Sequence, residues 1–566
     1  FTGAAPRGRG QAHGKTVPRP VPQAVTRRGD SRWFQWVARA IAAGRQSQGQ
    51  SMRRFFRGLL AVVIILIAVV VIGRLMFPLP DISQRPAEAA IPISPDTRLG
   101  QFALTAAQQH PDLSGVMPLP NGHDALASRL ALIDAATESV DAQYYIWHDD
   151  TSGMLLLDAL DRAAKRGVRV RLLLDDNGVP GLDPFLAALN AMPNFQIRLF
   201  NPSTIRRPKM AGYAIDFMRM NRRMHNKSMI VDGATAIIGG RNIGNEYFQV
   251  GDAFYVDMDA LAIGEVVPRT AQVFDQYWNS ASVFAVGDII SGTGDRAGLD
   301  ARIAEVKASA EAKDLLDVLN DSVTRYAKGE VALEWTRVQL VADDPVKGQG
   351  VAQRDQLMIT RLAQILGGVQ QRLDLVSAYF IPGKPGTEFF TGLAKEGKQV
   401  NILTNALNTT DVLLVHAGYT KYRRKLLEAG VKLYELRLRG GVNPESETQL
   451  KPLGLSGASL HAKTFAIDEQ RIFIGSFNFD PRSAMLNCEM GFLIDSPAMA
   501  RRVSAGFDGQ LDKVSYRPEL TVDNRMIWLE TDGDGKVRIW QQEPGATLFQ
   551  QVALAVAGIL PIEWML

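Results

Sequence analysis

Residues 222–242 read RRMHNKSMIVDGATAIIGGRN, and residues 459–478 read SLHAKTFAIDEQRIFIGSFN. In the first stretch His225, Lys227, Asp232, Gly239 and Asn242 stand at offsets 0, +2, +7, +14 and +17. In the second, His461, Lys463, Asp468, Gly475 and Asn478 stand at the same five offsets. A packing pattern would repeat its apolar positions, but it has no reason to repeat His, Lys and Asn. The chain therefore carries the same polar constellation twice.

The duplication widens on the N-terminal side of each copy. DAQYYIW (141–147), MLLLDALDRAAKRG (154–167) and VRVRLLLDD (168–176) read as strand, helix and strand, the last opening after the helix-stopping Gly167. VSAYFIP (376–382), EFFTGLAKEG (388–397) and KQVNILTNAL (398–407) repeat that order, and the two Y-[YF]-I cores align. Alternating strands and helices predict an α/β fold with a largely parallel sheet. Two pseudo-symmetric halves are expected over 111–290 and 346–515, joined by a helical connector over 291–345. Residues 516–566 form a C-terminal segment. Its last part, LFQQVALAVAGILPIEWML (548–566), has the composition of a membrane-interfacial helix or of a core helix.

His-x-Lys on an extended strand puts both side chains on one face, because the period is two. Asp232-Gly233 is a turn signal between two apolar runs. A two-residue turn centred after Gly233 would set His225 opposite Asn242 and Lys227 opposite Gly240. A centre after Glu469 would set His461 opposite Asn478 and Lys463 opposite Ser476. Each hairpin would then gather His, Lys and Asn, leaving Asp232 and Asp468 at the turn in a structural role.

At 566 residues, with 46% apolar and 22% charged residues, the chain is long enough for more than one core. Its net charge of +4 is unevenly spread. Residues 1–57 hold twelve of the 63 Lys and Arg against one of the 59 Asp and Glu, so this tail carries +11 and the remainder −7. The body is acidic, and no nucleic acid partner is expected. The single cysteine, Cys488, excludes an intrachain disulfide framework. The seven histidines show no pair at metal-ligand spacing, and neither a metal nor a cofactor is expected.

GLLAVVIILIAVVVIG (58–73) is sixteen apolar or glycine residues, and continuing to Phe77 gives 20, about 30 Å of helix and enough to cross a bilayer core. A transmembrane helix over 58–77 is expected, after a largely disordered basic tail over 1–57 and before a linker over 78–110. Basic residues crowd the N-terminal side, while only Arg74, Arg85 and Arg98 follow before residue 100. The positive-inside rule then places the N-terminus in the cytoplasm and the body outside, in the periplasm of a Gram-negative cell. The sequence opens on Phe1 rather than Met, which leaves room for a missing N-terminal piece.

The doubled H-x-K-x(4)-D-x(6)-G-[GS]-x-N signature (the HKD motif) resembles the phospholipase D superfamily. QYYIWHDDTSG (143–153), RLLLDDNG (171–178), NRRMHNKSMIVDG (221–233) and GGRNIGNEYF (239–248) resemble its bacterial cardiolipin synthase branch of the C type. The resemblance covers roughly 100–566. It implies two phospholipase D-like α/β sandwich halves and, at the membrane, a phosphatidyl transfer that makes cardiolipin from phosphatidylglycerol or phosphatidylethanolamine and a second phospholipid. The alternative within the same superfamily is a phosphodiesterase that hydrolyses phospholipid, or less readily nucleic acid, with water as acceptor. Gly240 departs from the usual serine, which the second copy keeps as Ser476.

Two imidazoles and two ammonium groups suit a phosphodiester. The lysines and asparagines can neutralise and hydrogen-bond the non-bridging oxygens where charge builds. One neutral histidine attacks phosphorus, and the other, protonated, gives its proton to the departing alkoxide. By resemblance His225 is the nucleophile and His461 the acid, although the symmetry of the motif allows either. Each histidine needs a carboxylate on its far nitrogen to hold its tautomer. By resemblance Glu489 serves His461. The parallel between DMDALAIG and EMGFLID assigns Asp257 to His225, with Asp259 as the alternative. Between Asn201 and Lys227 lie six basic residues (Arg206, Arg207, Lys209, Arg219, Arg222 and Arg223), read either as a lip for anionic headgroups or as a solvated loop.

Overall fold

The computed structural model describes residues 31–251, 254–327, 332–410, 412–437, 458–532, 534–547, 550, 554 and 563–566. The chain separates into two units, 1–72 and 73–566. A single helix, Ser31–Met76, fills the described part of the first unit and ends just inside the second. It begins within the stretch expected to be a disordered tail. Residues 37–43, VARAIAA, are Ala-rich and lack the prolines of the preceding segment, and that composition favours helix. Within it Met52–Met76 is 25 residues long, apolar and unburied, long enough to cross a membrane. Residues 1–30 lie outside the described residues.

The second unit is built on two large sheets. The strands of the first half are β1 Ser114–Leu119, β2 Ser139–Tyr144, β3 Arg169–Asp175, β4 Phe195–Phe200, β5 Ser228–Val231, β6 Thr235–Gly239, β7 Phe254–Val256, β8 Asp259–Gly264, β9 Val283–Ala285 and β10 Glu334–Thr336. Those of the second are β11 Val338–Ala342, β12 Arg372–Ser377, β13 Gln399–Asn405, β14 Lys432–Leu436, β15 Ala458–Leu460, β16 Lys463–Ile467, β17 Arg471–Gly475, β18 Met490–Ile494, β19 Ser515–Leu520, β20 Met526–Thr531 and β21 Val537–Trp540. The first sheet runs β10-β1-β8-β6-β5-β2-β3-β4-β9 and the second β11-β18-β17-β16-β12-β13-β14-β19-β20-β21. Seven strands, β1-β8-β6-β5-β2-β3-β4, therefore repeat as β11-β18-β17-β16-β12-β13-β14, and β2-β3-β4 is parallel like β12-β13-β14.

Alternation along the strands sorts the side chains into layers. Met229 and Val231 of β5 face an outer core under the helices Gly122–Ala135 and Thr151–Lys165, whereas Ile230 points the other way. Phe473 of β17 likewise faces the outer helices of the second half, while Ile472 and Ile474 point inward. The inward residues of both sheets, among them Ile230, Ile238, Ala260, Ile474, Met490 and Phe492, form one shared cluster. The halves are thus joined by a common core.

Three expected boundaries shift. The connector does contain the helices Arg296–Ala308 and Ala310–Ala327, but it ends in β10 and β11, one on the edge of each sheet. The segment after 516 is no appendage: β19, β20 and β21 extend the second sheet antiparallel from β14. The linker is bound to the body, with Arg85 donating to the carbonyls of Asn279 and Ser280 and Glu88 pairing with Arg198. Of 548–566, only 550, 554 and 563–566 are described.

Candidate active site

The two motif hairpins turn by three residues, not two. Val231 pairs with Thr235 and Ile467 with Arg471, leaving 232–234 and 468–470 in the loops. Asp232 and Gly233 adopt left-handed φ of 50° and 59°, as do Asp468 and Glu469 at 52° and 56°. The register is therefore one residue off the expected one, and neither Asn242 nor Asn478 pairs across its hairpin. Asn242 Oδ1 instead accepts from the Ile146 amide at the end of β2 (3.2 Å), and Asn478 Oδ1 from the Tyr379 amide (3.4 Å). Because Ile146 and Tyr379 occupy equivalent places, the two Y-[YF]-I cores are offset by two residues, a shift that preserves the face.

Asp232 and Asp468 lie away from the histidines. Asp232 accepts from the amides of Thr137, Glu138 and Ser139, and Asp468 from those of Gln370, Gln371 and Arg372. Each ties its hairpin turn to the start of the neighbouring strand, β2 or β12.

His225 and His461 leave their hairpins and pair with the other half. The His225 amide donates to the Cys488 carbonyl (2.8 Å), and the Cys488 amide donates to the Arg223 carbonyl (2.9 Å). The amides of His461 and Ala462 donate to the Val256 carbonyl, at 2.9 and 3.0 Å, beyond the parallel ribbon of β7 and β15. The residues after Cys488 and Val256 are Glu489 and Asp257. Cross-half pairing thus brings each carboxylate to the opposite histidine. His225 Nδ1 lies 2.8 Å from Glu489 Oε2, and His461 Nδ1 lies 2.6 Å from Asp257 Oδ2. The expected assignment within each half is therefore corrected: the partners are crossed.

Sheet register supports the equivalence of the carboxylates. The Gly240 amide donates to Met258 O and the Ser476 amide to Met490 O, so Asp257 and Glu489 precede matching positions. Asp259 is not an alternative, since it sits opposite Gly239 and takes Arg129 at 2.8 Å and Arg241 at 3.5 Å. The same register accounts for Gly240. Ser476 Oγ donates to Glu489 Oε2 (2.5 Å), whereas a Cβ at residue 240 would stand 2.1 Å from Asp257 Oδ1. Gly239 and Gly475 are required by close backbone approach, for a Cβ there would come within 2.5 Å of Asp259 Cα and of the Met490 carbonyl respectively.

Lys227 Nζ donates to the His225 carbonyl (2.7 Å), and Lys463 Nζ lies on the His461 carbonyl and 2.9 Å from the ring. Both lysines are buried, and the histidines are only 7% and 6% exposed. Burial, then Lys227 and Lys463, hold His225 well below its ordinary value. Burial and then Lys463 lower His461 to about 4, against the pull of Asp257. Burial lowers Lys227 well below its usual value, while burial raises Glu489 to about 7. Asp257 behaves oppositely to Glu489: burial favours its neutral form, but His461, Lys463 and Arg241 outweigh that and hold it well below the carboxylate range. The two half-sites feel each other's charges and form one site. A phosphodiester anion placed there would meet two lysine side chains and two imidazoles, each imidazole with Nδ1 on a carboxylate.

Residues 130–278 and 362–511 match the family described as "Cardiolipin synthase, PLD-like domain". The chain belongs to this cardiolipin synthase family. Cardiolipin synthase C of Escherichia coli strain K12 is 42% identical over 83% of this chain and 100% of its own length. An uncharacterized protein of Helicobacter pylori strain 26695 is 32% identical over 83% of this chain and 94% of its own. A crystal structure of phosphatidylserine synthase from Haemophilus influenzae Rd KW20 matches with a TM-score of 0.50 and 14% identity, over 82% of this chain and all of the other, which shows a common fold. This member of the cardiolipin synthase family is accordingly a phospholipase D-type phosphatidyltransferase.

Several residues around the site are not among the positions that the doubled signature fixes. Tyr145 meets His225 edge-on at 5.1 Å and stands 5.5 Å from Lys227 Nζ, and Tyr255 stacks on His461 at 5.1 Å. Asp343, from the end of the connector, accepts from the Glu489 amide (2.9 Å) and pairs with buried Lys347 (2.8 Å). Arg241 donates to the Asp257 carbonyl (2.6 Å), so a buried cation steadies each carboxylate segment. The fold also gathers His148, Asp150 and Glu246 within 4.8 Å, a closeness that the sequence spacing of the histidines does not suggest. There Asp150 accepts from the amides of Gly153 and Asn245.

The basic lip is mostly spent. Arg206 pairs with Asp176 and Asp183, Lys209 with Asp176, Arg219 with Asp216 and Arg223 with Asp175, while Arg222 donates to the Met485 carbonyl. Arg207 is exposed.

Proposed function

We propose that this chain makes cardiolipin, taking a phosphatidyl group from phosphatidylglycerol and delivering it to a hydroxyl of a second phospholipid, with phosphatidylethanolamine as a further possible donor. The observation that carries the reading is the crossed pair of carboxylate-bound histidines with a buried lysine beside each. His225 Nε2 attacks phosphorus, the P–O bond to the leaving glycerol breaks, and His461 gives that oxygen its proton. His461 then takes the proton of the incoming hydroxyl, whose oxygen forms the new P–O bond as the P–N bond breaks. The unequal carboxylates support these roles. Burial and Lys463 bring His461 to about 4, but ionised Asp257 pulls it toward the imidazolium and an arriving phosphodiester anion adds to that pull. His225, held well below its ordinary value beside Glu489, stays neutral and nucleophilic.

The acidic body fits lipid better than nucleic acid as substrate. The basic residues ahead of the apolar helix support a single-pass inner-membrane protein with its N-terminus in the cytoplasm and its body in the periplasm. Expression in a bacterium without its own cardiolipin synthases, with lipids read by mass spectrometry, tests the activity. Cardiolipin should appear and should vanish in His225→Ala and His461→Ala. Free phosphatidic acid without cardiolipin would make the enzyme a hydrolase. A reporter active only in the periplasm, fused after residue 100, should be active.

A further inference from the structure

The segment MAGYAIDFMRM, residues 210–220, has two charges, and both are turned onto partners. Asp216 takes Arg219 (2.5 Å) and Arg74 (2.8 Å), and Arg219 also donates to the Pro202 carbonyl (2.8 Å). Gly212, Ile215 and Met220 of the helix Ala211–Met220, which is kinked at a non-helical Asp216, are buried. Three large apolar residues of the segment are bare: Met210, just ahead of the helix, is 69% exposed, Phe217 40% and Met218 62%. Burying large apolar side chains is the default for a soluble surface, so three together on one short segment call for a partner.

The surroundings of the helix indicate which partner. The last turn of the membrane-length helix docks on this element: Gly73 approaches so closely that a Cβ would stand 2.5 Å from the Ile215 side chain. Arg74 Nε donates to the Ile215 carbonyl (3.0 Å), and Thr204 Oγ1 donates to the Phe77 carbonyl (2.9 Å). The exposed apolar row Leu75, Met76, Phe77 and Leu79 is thereby joined to Met210, Phe217 and Met218. A helix pinned to the last turn of a membrane-length span lies at the level where acyl chains give way to headgroups.

We propose that residues 210–218 form a membrane-seating surface, with Met210, Phe217 and Met218 inserted at the headgroup–acyl boundary of a phospholipid bilayer. The same helix leads directly into the site: Asn221 follows it, Arg482 grips the Asn221 side chain (2.6 Å), and His225 lies four residues further on. Seating this helix brings the segment that carries His225 to the surface where lipid phosphates stand.

The first test does not depend on turnover, so it separates this proposal from the transfer reading. Cys488 is buried, with its thiol pushed up to about 12 by burial, so an introduced surface cysteine is the reactive one. The full chain carrying Met218→Cys is spin-labelled and reconstituted into phosphatidylglycerol–phosphatidylethanolamine vesicles. Val522→Cys, on a fully exposed residue of the β19–β20 hairpin, is the aqueous control. The label at 218 should collide with oxygen several-fold more than with a water-soluble nickel chelate, and the control label should show the reverse. Aqueous behaviour at 218 overturns the proposal. Phe217→Gln with Met218→Gln should raise the apparent KM for vesicle-embedded lipid on the order of tenfold, with kcat changed less than about twofold. A fall in kcat at unchanged KM would instead place these residues in the chemistry and also overturn it.

Discussion

Asp257 and His461 lie in different halves, as do Glu489 and His225, and the crossing has consequences for single side chains. With an activated p-nitrophenyl phosphodiester the leaving group needs no proton. Asp257→Asn should then keep a burst of nitrophenolate, stall in the second step and leave the rest of the substrate, its phosphoryl ester, on the His225 peptide, read by mass spectrometry. Its steady-state rate on lipid should fall on the order of 10²- to 10⁴-fold, the span of general acid–base catalysis and of a lost tautomer anchor. Glu489→Gln should slow the burst itself; the opposite pair of results with the adduct still on His225 would uncross the dyads, and with the adduct on His461 would exchange the two roles. The glycines give a second contrast. Gly240→Ser drives a Cβ against the Asp257 carboxylate, so activity should fall about as in Asp257→Asn while the melting temperature barely moves. Gly239→Ala meets the Asp259 backbone and should cost roughly 1–3 kcal/mol of stability by overpacking, read by thermal unfolding. For Glu489 the folded value, about 7, lies above the ordinary 4.5, so the folded state holds the extra proton between these values. Stability from this group is full below pH 4.5 and is lost as pH rises toward about 7, on the order of 3 kcal/mol in all. Relative to Glu489→Gln, the parent should therefore lose melting temperature across that window.

At the scale of elements, the hairpin turns show how a small sequence choice fixes register. Asp232 reads as half of a two-residue Asp-Gly turn, yet its carboxylate ties down three amides at the head of β2, and the loop takes a third residue. Asp232→Asn keeps a residue that tolerates left-handed φ but removes the charge. It should destabilise the protein by about 1–3 kcal/mol, as expected for hydrogen bonds to an ionised group, while kcat stays within a few-fold. A comparable loss of kcat and stability would place Asp232 in the chemistry. The strand–helix–strand order was legible because period-two and helical patterns are local. The added strands β9, β10 and β19–β21 were not, since an edge strand is defined by what it pairs with.

For the whole molecule, the inward faces of both sheets share one core, in which Ile230 and Ile238 join Ile474 and Phe492. The halves should therefore unfold together. Ile474→Ala, which deletes buried methyl groups at that seam, should cost about 2–5 kcal/mol and loosen amides of β5 and β17 alike in hydrogen exchange. Protection lost from the second half alone would mean independent halves. The pair of constellations is written in the chain alone: His225, Lys227 and Asn242 matched by His461, Lys463 and Asn478, residue types that packing does not repeat. So is the apolar helix, whose composition needs no partner to be read. Which carboxylate serves which histidine is fixed by the folding of one half against the other. That pairing is made by backbone hydrogen bonds from His225 to Cys488 and from His461 to Val256, and no periodicity within either copy encodes a contact between residues more than 200 positions apart.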